Sequence, residues 1–361
     1  LLYGFVTACG GLLLSLLIAR RIVRPIQSLV QGTQAISNGR YDYHIDYRSK
    51  DEIGQLATAF NRMTSGLREK EFIRSTFNRY LNPNIIDRIL ADPQQLQLGG
   101  ERQRQTMLFS DLVNFTQICE QMPPVQLIGL LNDYLSAMTE IVDNHQGIVD
   151  KYIGDAIMAY WGPLSTGADH ASQACLAAHT MRLRLNELQQ QWRERGLPIL
   201  QIRIGIATGE MIVGNIGSEQ NCNYTCIGDT VNICSRLEST NKLYGTDILV
   251  DHDTAKEAQG LLFRELDSIQ VKGREGSMAV FALIRPDDQA LTNTESSLLA
   301  GYAKALQLYY TGDFATAQSA FEQLAQRWPT DTATQAMLKR CLELKNTPPA
   351  DWRGVYKIQV K

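Results

Sequence analysis

The chain has 361 residues, enough for two or three structural units, and its 44% apolar and 20% charged content is an ordinary globular balance. A formal net charge of −3 excludes an electrostatic argument for nucleic acid as a partner. The cysteines, Cys9, Cys119, Cys175, Cys222, Cys226, Cys234 and Cys341, form no CxxC and stand at no ligand spacing from histidine; they read as reduced thiols packed as small apolar residues.

The first residue is Leu, which predicts a piece of a longer chain. Residues 1–19, LLYGFVTACGGLLLSLLIA, carry no charge and as a helix would rise about 28 Å, close to a bilayer core. Arg20, Arg21 and Arg24 follow at once, in the pattern of a cytoplasmic flank. Together they predict a transmembrane helix over 1–19 in the inner cell membrane, with the rest of the chain on the cytoplasmic side. A signal peptide is the competing reading, but no small-residue cleavage site follows.

Next comes RRIVRPIQSLVQGTQAISNG, where Ile22, Pro25, Ile26, Leu29, Thr33 and Ile36 form a short heptad-like stripe that Gly39 ends. A polar connector, RYDYHIDYRSK, leads to DEIGQLATAFNRMTSGLREKE, with a second stripe of Ile53, Leu56, Phe60, Met63 and Leu67 and with Asp51 as N-cap. Two short seamed helices joined by an extended connector, with Pro25 near the start and DEIG opening the second helix, resemble a HAMP domain over 20–72. The resemblance implies a dimeric four-helix bundle that relays signals; a generic amphipathic linker is the alternative. Residues 73–100 read as a helical connector ending in QLQLGGE.

From 101 to 285 the chain alternates apolar strands and helices. RQTMLFSD, GIVDKYIG, DAIMAYWG, ILQIRIGIATG, EMIVGNIG and DILVD read as strands, and 125–145, 169–195 and 229–243 as helices, which predicts an α+β sheet with helices packed on one face. The tail, 290–361, is helical. Its YAKALQLYYTGDFATAQSAFEQLAQRWPTD resembles a tetratricopeptide unit through Gly312, Ala317, Phe321 and Pro329, with two ordinary packing helices as the alternative reading.

Three places carry chemistry. Asp111 ends the apolar run MLFSD just before a helix can begin, where a carboxylate suits metal and phosphate binding or a simple cap. In IVDKYIGDAIMAYWG two strands meet at a tight turn near Gly154, which sets Asp155 at a sheet end. Two carboxylates at neighbouring strand ends can hold two divalent ions, the arrangement for phosphoryl or nucleotidyl transfer. In NYTCIGDTVNICSRLE a helix starting near Asp229 puts Asn232 and Arg236 on one face, an amide and a guanidinium suited to a ribose and a charged phosphoryl group; an Asn cap and a surface Arg are the bland alternative.

Taken in order, FSDLVNFT, KYIGDAIMAYWG, IGIATGEMIVGNIG, YTCIGDTVNICSRLE and IQVKGREG resemble the motifs of a class III nucleotidyl cyclase, a ferredoxin-like catalytic domain. The resemblance implies that Asp111 and Asp155 bind two Mg²⁺ or Mn²⁺ ions per active site, with the Leu112 carbonyl also reaching a metal. It implies that Phe115 and Thr116 lie in the loop that wraps the triphosphate and that Lys272 binds the triphosphate. Lys151 and Thr225 match the purine-selecting pair, Asn232 the ribose-orienting residue and Arg236 the transition-state arginine. It further implies a homodimer in which each site draws on both chains. Gln117 stands where a Gly often follows the FT pair, and Thr225 where many members have Asp; the Lys/Thr combination resembles bicarbonate-responsive adenylyl cyclases.

Purine choice follows from donors and acceptors. Lys151 can only donate and suits adenine N1, while the Thr225 hydroxyl can accept from N6. Guanine would turn an N1–H donor towards Lys151. The expected activity is conversion of ATP to 3′,5′-cyclic AMP and pyrophosphate by a membrane-tethered enzyme regulated through the HAMP helices, with a protein partner for the C-terminal helices left open. A guanylyl cyclase and a non-catalytic dimeric signalling module are the alternatives.

Overall fold

A computed structural model of the chain describes residues 2–80, 98–163, 169–270, 276–288, 290–349 and 351–357. The chain divides into two units, Leu1–Pro93 and Gln94–Lys361.

In the first unit, helix α1 (Leu2–Ile18) is an apolar run of 17 residues. At 1.5 Å per residue it rises about 26 Å, short of a bilayer core of roughly 30 Å. The backbone then passes into a π-helical turn, Ala19–Val23, that carries Arg20 and Arg21. Among the described residues no helix is long and apolar enough to cross a membrane. This corrects the expected transmembrane helix over 1–19 and the inner-membrane placement drawn from it: the uncharged stretch is 19 residues long, but the regular apolar helix within it has only 17.

Helix α2 (Arg24–Ser37) has Pro25 in its first turn, where a missing N–H costs nothing, and ends before Gly39 at φ +77°. Helix α3 (Glu52–Tyr80) is capped by Asp51, whose Oδ1 accepts from the Gly54 N–H at 2.8 Å. The connector between them is held by Asn61, which accepts from the Ile45 N–H at 2.9 Å and donates to the Ile45 carbonyl at 3.0 Å. Ala35, Ile45, Ala57 and Phe60 form the small core, with Leu29, Ile36, Tyr43 and Tyr47 against it. The two sequence stripes therefore divide. Phe60 is buried within the chain, whereas Leu56 is 55% and Met63 50% exposed, and Ile22 and Ile26 are exposed with them.

The second unit is built on one mixed sheet of strands β1 (Gly99–Leu112), β2 (Ile148–Ile153), β3 (Ala156–Trp161), β4 (Ile202–Gly217), β5 (Cys222–Ile227), β6 (Ile248–Asp251), β7 (Leu261–Gln270), β8 (Met278–Pro286) and β9 (Tyr356–Lys357). Their order is β2-β3-β1-β4-β6-β8-β7-β9, with β5 also on β4. Residues 199–217, expected as two strands, hold the single strand β4, which pairs with β1 from Gly99↔Asn215 to Leu112↔Ile202. Gly209 sits opposite Gln105 within that ladder and makes no turn.

Helices cover both faces, which corrects the expectation of one. Ile204 and Ile206 of β4 enter a core with Leu130, Tyr134 and Met138 of helix α5 (Pro124–Asn144) and Met181 and Leu185 of helix α6 (His170–Glu194). Successive strand side chains alternate faces. Gly205, between those two isoleucines, therefore meets the other side, where a Cβ would lie 2.3 Å from Cys234 O and Glu238 N of helix α7 (Asp229–Tyr244). Only glycine lets α7 lie that close to the sheet. Met107 of β1 and Ala207, Met211 and Val213 of β4 are buried as well, so both faces of this part of the sheet carry apolar residues.

Beyond a short helix α8 (His252–Glu257) and β8, three helices complete the unit: α9 (Asn293–Tyr310), α10 (Phe314–Arg327) and α11 (Thr332–Asn346). Each opens on an oxygen cap, Thr292, Asp313 and Asp331. Arg340 of α11 pairs with buried Asp267 of β7 and donates to Tyr244 Oη of α7 at 3.2 Å. Thr332 Oγ1 donates to the Gly245 carbonyl at 2.7 Å, so the tail grips the C-terminal end of α7.

Candidate active site

Asp111 lies one residue before the end of β1, opposite Arg203 of β4. Asp155 lies in the turn between β2 and β3, where Gly154 takes φ +67°, a conformation open to glycine at little cost. The two strand ends are tied together: the Leu112 N–H donates to Asp155 Oδ2 at 3.1 Å. Burial first, and then the adjacent Asp155 carboxylate, push the Asp111 carboxyl up to about 6, against the pull of Arg203, whose Nη2 is 3.9 Å from Asp111 Oδ2.

Two neighbours that motif reading missed complete this corner. Arg203 Nε lies 3.3 Å from Glu238 Oε1, and both atoms are buried without a hydrogen-bond partner among the described residues. Burial and then the Asp111 carboxylate push Glu238 up to about 7. The signal for Arg203 was present, a lone charge inside the apolar strand QIRIGIATG; Glu238 follows Arg236 by two and shows its position only once α7 is laid on the sheet. Among the described residues no group of three or more acidic, histidine or cysteine side chains is arranged to hold a metal by itself. Two like-charged, half-buried carboxylates set against each other, one held up near 6, fit a hard divalent cation that takes its remaining oxygens from water and phosphate.

Lys151 does not pair with Asp155. Its Nζ is 3.6 Å from Asp150 Oδ1, and the Asp150 side chain is 1% exposed. Asp150 Oδ2 accepts from Thr225 Oγ1 at 2.5 Å. These contacts come from an irregular ladder: Val149 opposes Ala159 and Lys151 opposes Met158, so Asp150 is an extra, bulged residue. The β1/β4 ladder also continues past Thr106, where β3 ends its pairing at Trp161, and the extended arm carries β5 with Thr225 to Asp150. Lys151 and Thr225 thus meet on one carboxylate.

Asn232 and Arg236 are one turn apart on α7, Asn232 exposed and Arg236 half-buried, and neither side chain has a partner among the described residues. Phe115 and Thr116, expected in a loop, open a seven-residue helix α4 (Phe115–Gln121) after Asn114 at φ +58°; Phe115 packs on the sheet core and Thr116 is exposed. Lys272 lies outside the described residues.

The chain belongs to the family described as the adenylate and guanylate cyclase catalytic domain, which it matches over residues 100–285. Residues 17–69 match the HAMP domain. A curated relative, the adenylate cyclase of Anabaena cylindrica, is 31% identical over 294 residues, 78% of this chain and 58% of that protein. The crystal structure of the adenylyl cyclase CyaB from P. aeruginosa is 34% identical, with a TM-score of 0.50 over 54% of this chain and 100% of that one. A solved guanylyl cyclase is 32% identical, also with a TM-score of 0.50, over 53% of this chain and 96% of that one. The chain spans about half the length of the curated relatives it matches.

Proposed function

We propose that the chain is an adenylyl cyclase that converts ATP to 3′,5′-cyclic AMP and pyrophosphate at sites shared between two copies. The observation that carries this reading is the separation of charges along one hairpin. Asp155 faces Asp111 at the turn, while Lys151, within the strand before it, lies against Asp150, which also accepts from Thr225. Asp111 and Asp155 would hold Mg²⁺ or Mn²⁺, two per site, and the bound ions would acidify the ribose 3′-hydroxyl and neutralise phosphate charge. Lys151 donates to adenine N1 and Thr225 accepts from N6. Asn232 orients the ribose, and the Arg236 guanidinium meets the charge that develops on the phosphate as the 3′-hydroxyl attacks the α-phosphorus. Phe115, Thr116 and Lys272 bind the triphosphate. Exposed Ile22, Ile26, Leu56 and Met63 supply an apolar face for a second HAMP helix pair, through which input reaches the catalytic unit.

A guanylyl cyclase is the second reading, because a solved guanylyl cyclase matches this chain about as well as a solved adenylyl cyclase does. Incubating the purified chain with ATP or GTP and Mn²⁺ and identifying the products decides between them. Cyclic AMP as the main product is expected; cyclic GMP formed from GTP at equal or greater efficiency overturns the purine assignment, and no turnover of either leaves a non-catalytic module.

A further inference from the structure

We propose that Asp150 is a specificity-determining positioning residue, which makes Thr225 an acceptor by taking its hydroxyl proton; this rests on the reading of Thr225 as a base contact. A threonine hydroxyl has one proton and two lone pairs, and an unconstrained one can serve either purine. Here the proton is directed at Asp150 Oδ2, 2.5 Å away, in a site where Thr225 is 7% and the Asp150 side chain 1% exposed. Such a charge-assisted bond in a dry site is stronger than a neutral one and holds the rotor. What the oxygen then has left to offer is lone pairs. They accept from the adenine N6 amino group and oppose the guanine O6 acceptor.

Burial holds the Asp150 carboxyl above its ordinary value, and three features pull the other way, towards the accepting form. Lys151 lies 3.6 Å away, the Thr225 hydroxyl donates to it, and so does the Cys226 backbone N–H, each opposing the upward push of burial on its carboxyl. The bulge accounts for the placement. In a regular strand Asp150 and Lys151 would point to opposite faces, whereas the extra residue breaks the alternation and leaves both charged groups on one another. A buried carboxylate beside Lys151 would be a costly way to make an ion pair alone. Fixing the polarity of a neighbouring hydroxyl gives it a role that a surface salt bridge could not fill.

The test compares kcat/KM for ATP and GTP in the full chain with Asp150→Asn, Thr225→Val and both together, with thermal melting as a check of folding. Asp150→Asn is nearly isosteric but presents an amide that can donate to Thr225, freeing the hydroxyl proton to face the base. Its ATP-over-GTP preference is expected to fall about tenfold or more, the scale of a lost charge-assisted hydrogen bond. In the Thr225→Val background the same change is expected to have no further effect on the preference. If Thr225→Val lowers the preference while Asp150→Asn leaves it unchanged, the inference is overturned and the Thr225 reading stands. If Thr225→Val itself leaves the preference unchanged, the purine reading falls and the inference with it. An equal fall from Asp150→Asn in both backgrounds overturns the route through Thr225. Asp150→Ser, which keeps an oxygen in a smaller volume, replaces the amide variant if that one melts early, and the same outcomes apply.

Discussion

Asp111 shows how a site residue can cost stability. Its carboxyl is pushed up to about 6 by burial and by Asp155. Ionising it near neutral pH without a cation therefore destabilises the fold. Asp111→Asn removes that charge while preserving shape. The metal-free variant is expected to melt a few degrees above the parent at pH 7.5, while cyclic nucleotide formation falls by two orders of magnitude or more with saturating Mn²⁺. A variant that melts lower and retains near-normal turnover would contradict both halves. Stability and activity are predicted to move in opposite directions, as expected for carboxylates kept together for a ligand.

Helix α7 carries Asn232 and Arg236 away from the sheet, while its inner face, through Cys234, donates to the Met107 and Gly205 carbonyls at 3.1 Å. If sites are shared, Asp155→Ala and Arg236→Ala fail in different halves of a site. Each alone is expected to be nearly inactive. Their mixture should regain up to about half the parent activity per heterodimer, by counting independent sites. Heterodimers demonstrated by tagging that remain inactive would place the whole site within one chain. The HAMP helices make a second comparison. Phe60→Gln opens the small core and should unfold that unit locally, whereas Leu56→Gln, on an exposed position, should spare the fold. Leu56→Gln is expected to shift basal activity through whatever covers the exposed stripe. Unchanged activity and unchanged dimerisation in Leu56→Gln would leave the stripe without a transmitting role.

The tail is part of the catalytic unit's core. Asp267 is fully buried against Arg340 and Tyr244, and burial pushes its carboxyl up to about 6 even though Arg340 pulls it down. Arg340→Ala leaves that carboxylate without a counter-charge, at a cost of about 3–5 kcal/mol when ionised. The sign with pH follows from the protons bound. Folded Asp267 titrates above its ordinary 3.8 and higher still without Arg340, so the folded state holds the extra proton. The deficit of Arg340→Ala should thus be small near pH 4 and grow as pH rises through 6 and beyond, read as urea midpoints. A pH-independent deficit would mean that lost packing on Tyr244 and Tyr356, not charge, sets the cost.

The sequence by itself determined the catalytic family and the two strand-end aspartates, because the motifs are local and their spacing survives in any fold that preserves them. It also determined the helix carrying Asn232 and Arg236, since a separation of four residues sets one face whatever the helix packs on. Other features depended on contacts between distant segments. Nothing local says that Asp150 is a bulge residue, that the β1/β4 ladder outruns β3, or that Thr225 arrives beside Asp150 from 75 positions away. The long β4 looked like two strands because glycine at Gly209 marks turns as readily as it marks close approach. Gly205 is a case of close approach, making room for α7 by having no side chain. The apolar start misled in the opposite direction, since composition counts residues and a membrane span requires length in a continuous apolar helix. Local chemistry was legible where one segment supplies it, and only the tertiary structure decided which segments share a charge, a proton or a surface.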